Sequence, residues 1–321
     1  GNIASPRTVA RDMTKTVVAQ TYGTPEVLKL VDVDLPAPKS GEVLVDVKAI
    51  GVNPFDFKLY SGAFGTDPEK LPIRLGGEAA GVVSAVGDGV TNVNVGDEVI
   101  VSPGNGLYSE QVVVPVSSVT AKPAGISWEQ AAGLLLVGGT AVDALDTIRV
   151  GSGDTVLIHG ASGGVGAIAV QLAVGRGATV IGTAGASNQD YVRSLGATPV
   201  LYGHGLEARV RELAPNGVDA AFDTAGTDEA VDASLALVTD KSRIVTIVAF
   251  GRAQTDGFAS VGGGNPASAE ARLKARSELV EQAGSGHLTV KIAKTFPLTD
   301  VALAHTELQS SHPAGKFILV P

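Results

Sequence analysis

The chain has 321 residues, enough for two domains of ordinary size with substantial apolar cores. Its 24 basic and 33 acidic residues give a net charge of −9, which disfavours binding to nucleic acid or to an anionic membrane. Cysteine is absent, which excludes disulfides, thiolate nucleophiles and cysteine-ligated metal sites, while glycine is abundant at 41 residues.

Residues 1–13 precede the patterned part of the chain, and we interpret them as a tail or an expression remnant. They contain no apolar segment of the signal-peptide type. Elsewhere no run reaches the roughly 18 consecutive apolar residues of a transmembrane helix. We therefore expect a cytoplasmic protein with no membrane partner.

Short valine-rich runs alternate with turn signals between residues 14 and 127. The runs include VLKLVDVDL, EVLVDVKAI and AAGVVSAVG, and the turns include Gly23-Thr24-Pro25 and Gly87-Asp88-Gly89. This spacing favours an antiparallel barrel or sandwich.

The pattern changes at residue 128, where helices and apolar strands begin to alternate. After a helix over 128–148, the predicted strands are 155–160, 178–184, 199–202, 218–223 and 243–250, with a helix between successive strands. Strands that are apolar throughout are typical of a parallel sheet with helices on both faces. The sequence therefore predicts an α/β fold with a doubly wound parallel sheet of the Rossmann type.

The end of the chain resembles its beginning more than its middle. A glycine-rich loop after residue 250 leads to a predicted helix (267–283), strand (288–296), helix (300–310) and final strand (316–320). We therefore predict that residues 128–263 form the Rossmann domain, and that residues 14–127 and 264–321 together form the β-rich domain.

The strongest local signal is the segment LIHGASGGVG, residues 157–166, which follows an apolar strand and opens a helix. It matches the dinucleotide fingerprint G-x-G-x-x-G with Ala161 in place of the first glycine, followed by Gly163 and Gly166. A small first residue permits the tight turn, the second glycine lets the backbone approach a pyrophosphate, and the third lets the helix pack closely on the strand. The free N–H groups of the helix N-terminus favour phosphate binding.

The residue type at the end of the next strand indicates whether NAD or NADP is preferred, because an NAD enzyme has an acidic residue there that binds the ribose 2′-hydroxyl. Here the segment IGTAGASNQ, residues 181–189, contains no acid before Asp190. A carboxylate would repel a 2′-phosphate, so its absence permits NADPH. Ser187, Asn188, Tyr191 and Arg193 are candidate donors to that phosphate, although Arg193 fits a solvated helix face equally well.

A different reading of the same segment is a serine hydrolase. Gly160-Ala161-Ser162-Gly163-Gly164 also matches the nucleophile elbow G-x-S-x-G, and Asp223 followed by His305 or His312 gives the order of a catalytic triad. The elbow would, however, lie on the first strand of the parallel sheet, and no His-Gly-Gly oxyanion segment is present. The hydrolase reading is therefore a distant alternative.

The chain from Thr14 to Pro321 resembles the medium-chain dehydrogenase/reductase superfamily, and within it the zinc-free quinone oxidoreductase (ζ-crystallin-like) branch. The resemblance is carried by the segments GVNPFDFKLYSG (51–62), LGGEAAGVVSAVGDGVTNVNVGDEV (75–99), HGASGGVGAIAVQLA (159–173), DTAG (223–226) and HPAGKFILVP (312–321). It implies that the β-rich domain is a GroES-like catalytic domain, that the cofactor lies at the carboxyl edge of the parallel sheet and that the protein is a homodimer.

The chain departs from the zinc alcohol dehydrogenases at the metal ligands. Those enzymes carry Gly-His-Glu where this chain has Gly76-Gly77-Glu78, and a cysteine ligand is missing near Asn53. None of the five histidines forms a tight metal-ligand pair in the sequence, so we predict no metal site. Without a Lewis acid, chemistry on simple alcohols is hard. A quinone or conjugated enone, which accepts hydride directly, is a better substrate class.

The resemblance also implies roles for individual residues. Asn53 would lie beside nicotinamide and substrate, with Asp56 holding its loop, Thr140 would contact the carboxamide, and Tyr60 or Lys58 is a candidate proton donor or substrate contact. The predicted catalytic residues are Asn53, Tyr60 and Thr140. The predicted cofactor-binding residues are Ala161, Ser162, Gly163, Gly164, Val165, Gly166, Thr183, Ser187, Asn188, Tyr191, Thr224, Ala249, Phe250, Gly251, Gly315 and Lys316.

These features together predict an NADPH-dependent, metal-free oxidoreductase that transfers hydride to a quinone or a related conjugated carbonyl compound. The alternatives are a zinc-free enoyl or alkenal reductase of the same fold and, more distantly, an NADPH-binding protein without turnover. The glycine cluster at 262–264 and the polar loop 252–267 depart from the family pattern, which leaves the shape of the substrate pocket open.

Overall fold

The computed structural model describes residues 12–262 and 264–321. The predicted tail lies outside these residues except for Asp12 and Met13, and Gly263 of the glycine cluster also lies outside them. Within the described residues, no helix is both long and apolar enough to cross a membrane.

The secondary structure follows the two-part organisation predicted from the sequence. The strands are β1 (Met13–Ala19), β2 (Leu28–Asp34), β3 (Glu42–Gly51), β4 (Ile73–Arg74), β5 (Ala79–Val86), β6 (Glu98–Val101), β7 (Gln111–Pro115), β8 (Val119–Ala121), β9 (Thr155–His159), β10 (Thr179–Ala184), β11 (Thr198–Leu201), β12 (Ala220–Asp223), β13 (Ile244–Thr246), β14 (Ala259–Ser260), β15 (Ile292–Pro297) and β16 (Lys316–Val320). The α-helices are α1 (Pro54–Lys58), α2 (Trp128–Ala132), α3 (Leu135–Thr147), α4 (Gly164–Gly175), α5 (Gln189–Ser194), α6 (Leu206–Leu213), α7 (Asp228–Leu237), α8 (Phe250–Asp256), α9 (Pro266–Gly284) and α10 (Val301–Leu308).

The chain divides into two compact units. The first runs to Lys122 and includes Thr295–Ser311 and Phe317–Pro321, and the second comprises Pro123–Lys294 with His312–Lys316. This division differs from the predicted return at residue 264, because α9 packs along α3 in the second unit. The contact is close: a Cβ on Gly138 would lie 3.0 Å from Leu279 Cδ1, and one on Gly139 would lie 3.0 Å from Arg272 Cγ.

The first unit is the GroES-like domain. Its strands pair antiparallel, with β3 at the centre hydrogen-bonded to β5, β7 and β16. β3 carries valines at alternate positions: Val43 and Val45 are fully buried, while Leu44 between them is half-buried. This alternation is typical of a sheet with one face in the core, and it confirms the strand-rich prediction for this part of the chain.

The second unit contains a parallel sheet in the order β11-β10-β9-β12-β13-β14. This order reverses at β9, as in the Rossmann fold. Val156, Leu157 and Ile158 of β9 are fully buried, as expected for a strand covered on both faces. The prediction of a Rossmann-type sheet is confirmed.

The end of this sheet differs from the sequence expectation. The predicted strand 243–250 is only Ile244–Thr246 long, and α8 begins at Phe250. Thr246 Oγ1 accepts hydrogen bonds from the backbone N–H groups of Val248 and Ala249, which turns the chain out of the sheet. The short sixth strand, Ala259–Ser260, lies within the segment predicted as a glycine-rich loop.

Candidate active site

The glycine-rich turn connects β9 to α4, at the carboxyl edge of the parallel sheet. Gly160 has φ +72°, a conformation that favours glycine, and a Cβ there would clash with Thr224 Oγ1. A Cβ on Gly166 would clash with the carbonyl oxygen of Gly160. These two glycines are therefore required by the turn itself and by the close packing of α4 against it.

Gly163 and Gly164 have no comparable internal requirement. The atom of the described chain nearest to a Cβ on Gly163 is the Gly160 carbonyl oxygen at 3.4 Å, and a Cβ on Gly164 would lie 3.5 Å from Val137 Cγ1. Gly163 has φ −76°, which any residue adopts, and both glycines are exposed. A bare, exposed backbone at the N-terminus of a twelve-residue helix fits the close approach of a pyrophosphate.

Two threonines hold the turn from the neighbouring strands. Thr183 Oγ1, at the end of β10, accepts from the backbone N–H of Gly160 at 3.0 Å, and the Thr183 carbonyl accepts from Ala161 N–H at 2.9 Å. Thr224, after β12, donates its hydroxyl to the carbonyl oxygen of His159 at 2.6 Å. Both were predicted to bind cofactor. In the structure their hydroxyls bind the backbone of the turn and set its position.

Lys316 lies beside the same turn. Its side chain is buried, with Cδ 3.7 Å from the position of a Cβ on Gly164 and Cγ 3.4 Å from that of a Cβ on Gly133. This brings a predicted cofactor residue from the end of the chain to the first residue of α4. The adjacent Gly315 has φ +126°, and a Cβ there would lie 2.7 Å from Ala293 N, so its glycine has a local steric reason.

The residues predicted as donors to a 2′-phosphate follow β10 in two elements, a short 3-10 turn and α5. Ser187 and Asn188 form a short 3-10 turn directly after the strand. Tyr202 is 63% exposed, and its hydroxyl is 3.2 Å from the position of a Cβ on Gly185 in the same region. Tyr202 was not predicted from the sequence as a site residue, because it follows β11 rather than β10.

Tyr191 and Arg193 lie on α5, which follows this 3-10 turn. The Tyr191 ring lines a cavity with Gln171, Val174 and Gly175 of the C-terminal half of α4, and the Lys291 ammonium lies 4.1 Å from its centroid. Burial raises the pKa of Tyr191. Arg193 forms an exposed ion pair with Asp190 at 2.8 Å. The role predicted for both residues as donors to a 2′-phosphate stays a prediction.

Asp223, the last residue of β12, accepts hydrogen bonds from the loop that follows β12 and from Thr246 at the end of β13. Its Oδ1 accepts from the backbone N–H groups of Ala225 and Gly226, both at 2.9 Å, and its Oδ2 accepts from the Thr246 hydroxyl at 2.8 Å. Ala249 is the residue before α8, and Phe250 and Gly251 are the first two residues of that helix. The predicted group Ala249, Phe250 and Gly251 thus lies at a helix start and not in a strand end.

Thr140 belongs to the second unit, on α3. Its hydroxyl donates to the carbonyl oxygen of Leu136 at 3.1 Å, within the same helix. Val137, three residues earlier on the same helix face, is the residue that approaches Gly164. Thr140 is half-buried. It lies on the same face of α3 as Val137, which contacts the glycine turn.

In the first unit, Asn53 lies at the start of α1 and is held by hydrogen bonds to Glu78 and Asp56. Its side-chain Nδ2 donates to Glu78 Oε2 at 2.8 Å, and its backbone N–H donates to Asp56 Oδ2 at 3.0 Å. The backbone N–H of Asp56 donates back to the Asn53 carbonyl at 2.9 Å. Asn53, Asp56 and Glu78 are all at least 98% buried. The structure thus supports the expectation that Asp56 holds the loop of Asn53.

Tyr60, a candidate proton donor or substrate contact, is fully buried. Its hydroxyl lies 2.6 Å from His305 Nδ1, and His305 Nε2 lies 2.9 Å from the Tyr108 hydroxyl. Tyr108 donates to Asp56 Oδ2 at 2.6 Å. Burial lowers the pKa of His305 to about 4, and burial together with the nearby Asp56 charge raises the pKa of both tyrosines. Lys58, the other predicted donor, is exposed.

These hydrogen bonds bear on the hydrolase reading. His305 uses both ring nitrogens within the first unit, and the Asp223 carboxylate is used by two backbone N–H groups and Thr246. His312 is exposed, with Nδ1 2.8 Å from the Pro313 carbonyl. The proposed partners of Ser162 are therefore engaged elsewhere.

Comparisons with known proteins agree with this architecture. A family model described as "Alcohol dehydrogenase GroES-like domain" matches residues 39–124, and one described as "Zinc-binding dehydrogenase" matches residues 164–262. A quinone oxidoreductase of Pseudomonas aeruginosa is 34% identical over 96% of this chain and all of that protein. The chain belongs to the quinone oxidoreductase branch of the medium-chain dehydrogenase/reductase superfamily.

Solved structures of the superfamily align over nearly the whole chain. The Escherichia coli quinone oxidoreductase complexed with NADPH is 30% identical, with a TM-score of 0.84 over 96% of this chain and 100% of that one. The CurK enoyl reductase is 28% identical, with a TM-score of 0.85 over 96% and 99%. This member of the quinone oxidoreductase branch therefore shares its fold with reductases of two substrate classes.

Proposed function

We propose that this chain is an NADPH-dependent oxidoreductase that transfers hydride, without a metal ion, to a quinone or a related conjugated carbonyl compound. The observation that carries the proposal is the glycine turn, whose exposed Gly163 has no steric reason within the described chain to be glycine. The full-length identity to quinone oxidoreductases supports the acceptor class. The absence of cysteine, together with Gly77 and Asn53 at the expected ligand positions, supports metal-free chemistry.

The residues present fit a dinucleotide. The N–H groups of the first turn of α4 and the buried Lys316 would bind the pyrophosphate, and Thr183 and Thr224 would hold the turn that presents those groups. When bound, NADPH supplies the hydride from its nicotinamide ring. Asn53, fixed by Glu78 and Asp56, would orient the reacting groups, which is the main protein contribution to such a reaction.

An exposed aromatic pair supports a planar acceptor. Phe55, two residues after Asn53, is 53% exposed, and Phe64 is 56% exposed, with ring centroids 5.6 Å apart. The apolar faces of these two rings, close in sequence to Asn53, would offer a stacking surface for a quinone ring. The small-molecule partner and the homodimer implied by the resemblance stay predictions.

The first expected result is turnover. We expect steady-state oxidation of NADPH with 1,4-benzoquinone, measured at 340 nm, and a loss of about 100-fold or more in kcat/KM on Asn53→Ala, because a misplaced reacting group costs about this factor. Absence of turnover with both a quinone and an alkenal, despite NADPH binding, would favour a binding protein.

The same assay separates the alternatives. The likeness to CurK enoyl reductase favours a double-bond reductase as the second candidate, and it predicts a higher kcat/KM with an alkenal than with any quinone. The hydrolase reading predicts hydrolysis of p-nitrophenyl acetate that is abolished by Ser162→Ala. Either result would replace the quinone assignment.

The second expected result concerns the coenzyme. We expect NADPH to bind at least about tenfold more tightly than NADH, since donors after β10 would gain charged hydrogen bonds to the 2′-phosphate. Asn188→Asp should remove this preference by repulsion. Ser194→Asp adds the same charge at the other end of α5 and should leave it unchanged. Dissociation constants from fluorescence titration measure both, and tighter binding of NADH to the unmodified protein would contradict the proposal.

A further inference from the structure

A continuous chain of buried side-chain hydrogen bonds crosses the first unit. It runs from the Tyr60 hydroxyl to His305 Nδ1 (2.6 Å), from His305 Nε2 to the Tyr108 hydroxyl (2.9 Å) and from that hydroxyl to Asp56 Oδ2 (2.6 Å). The same oxygen of Asp56 accepts the backbone N–H of Asn53. Tyr60, Tyr108 and His305 are each at least 99% buried.

The count of protons gives this chain one direction. Tyr108 has a single hydroxyl proton, and it goes to Asp56, so toward His305 the Tyr108 oxygen must accept. His305 therefore carries its proton on Nε2. Because a neutral imidazole has one bare nitrogen, Nδ1 accepts the proton of Tyr60. Each donor in the chain thus has one acceptor, and the tautomer of His305 is determined.

The partners of Asn53 are fixed by distant parts of the chain. α1 has five residues, too few to be stable by itself. Tyr108 is anchored by its own backbone, with its N–H donating to Leu75 O at 2.9 Å and its carbonyl accepting from Val17 N–H at 2.8 Å. His305 lies on α10. The rigid Tyr108 therefore holds Asp56, and Asp56 holds the start of α1 where Asn53 lies.

We propose that Tyr108 and His305 are positioning residues for hydride transfer: His305 directs the hydroxyl proton of Tyr108 onto Asp56, and Asp56 in turn sets the position of Asn53. This rests on the proposed function, in which Asn53 orients the reacting groups. Tyr60 completes the chain by holding His305 in the Nε2-protonated form. In this role the three residues act through Asn53, and none of them has to touch the reacting groups.

The kinetic test uses variants that remove one link at a time. Tyr108→Phe keeps the ring and removes the hydroxyl, and we expect it to lower kcat with a quinone about 10-fold or more, with the NADPH dissociation constant within about twofold of the original. His305→Leu should behave alike. His305→Gln, whose amide can donate from near the Nε2 position, should recover most of kcat. Tyr22→Phe removes a hydroxyl bonded to the Asp67 carbonyl in the same unit and is the matched control.

A second measurement does not depend on turnover. In ¹⁵N NMR spectra of the full chain, we expect His305 to show the Nε2-protonated tautomer. The Asn53 side-chain amide, assigned by its loss in Asn53→Asp, should be protected from hydrogen exchange. Tyr108→Phe should reduce that protection at least about tenfold, and Tyr22→Phe should not.

The two measurements separate the possible failures. If the unmodified protein is inactive but gives the expected NMR response, the proposed function is contradicted. The role of the hydrogen bonds from Tyr60 to Asp56 in holding Asn53 would then still stand. An Asn53 amide that is unchanged in Tyr108→Phe, or a kcat that stays within twofold of the original, would overturn the positioning role. Tyr108→Phe preserves ring volume, so the test stands even where His305→Leu fails to fold.

Discussion

Alanine at Gly166 is expected to destroy both the turn and its affinity for NADPH. The added Cβ would clash with the Gly160 carbonyl oxygen, so α4 must move away from the strand it packs on. Overpacking of this kind costs about 1–3 kcal/mol of unfolding free energy. Displaced N–H groups should also weaken NADPH binding about 100-fold or more. Urea denaturation and fluorescence titration measure the two effects.

Two further glycines of the same turn and helix make this test specific. Gly163→Ala places its Cβ in open space apart from the Gly160 oxygen at 3.4 Å, so it should keep the stability and lose NADPH affinity. Gly175→Ala, at the end of α4, meets no atom of the described chain within 4 Å and should keep both. Normal NADPH binding by Gly163→Ala would show that no phosphate approaches this backbone.

Acid is expected to destabilise both units well above the pH at which most carboxylates titrate. His159 and His305 are each 1% exposed, and burial lowers the pKa of each to about 4. Unfolding returns each imidazole to a pKa of about 6.5, so the unfolded chain binds protons first as the pH falls. Their contribution to stability is therefore present above about pH 6.5 and lost progressively down to about pH 4.

The magnitude follows from the size of the shifts. A fall in pKa from about 6.5 to about 4 corresponds to about 3 kcal/mol of unfolding free energy for each histidine, with a slope of at most about 1.4 kcal/mol per pH unit. Urea denaturation at pH 7.0 and pH 5.0 measures the loss. His305→Gln should reduce the pH dependence, while His204→Gln, at an exposed position, should not. Equal stability at both pH values would contradict a neutral, buried His305.

The glycine-rich turn after β9 was predictable from the sequence because its determinants are local. The turn 160–166 is contiguous, its glycines are dictated by backbone sterics within a few residues, and the apolar strands around it repeat at short intervals. The proposal of metal-free chemistry likewise rests on the sequence alone, namely on the absence of cysteine and on Gly77 and Asn53 at the expected ligand positions.

Other assignments required the tertiary structure, because they depend on contacts between remote residues. The surroundings of Tyr191 are one example: its ring lies under the Lys291 ammonium and lines a cavity with the C-terminal half of α4. The sequence pattern assigned the helix at 266–284 to the β-rich domain. Its packing against the glycines of α3 places it in the second unit instead.

The buried hydrogen bonds that link Tyr60, His305, Tyr108 and Asp56 are the clearest case of contacts that the sequence does not predict. His305 lies 197 residues from Tyr108 and 245 from Tyr60 along the sequence, and no periodicity connects them. The sequence by itself determined a Rossmann sheet, a glycine-rich turn after its first strand and a β-rich domain, since each arises from patterns a few residues long. Only the folded chain decided which buried polar groups pair, because each must find its partner wherever folding brings one within hydrogen-bond distance.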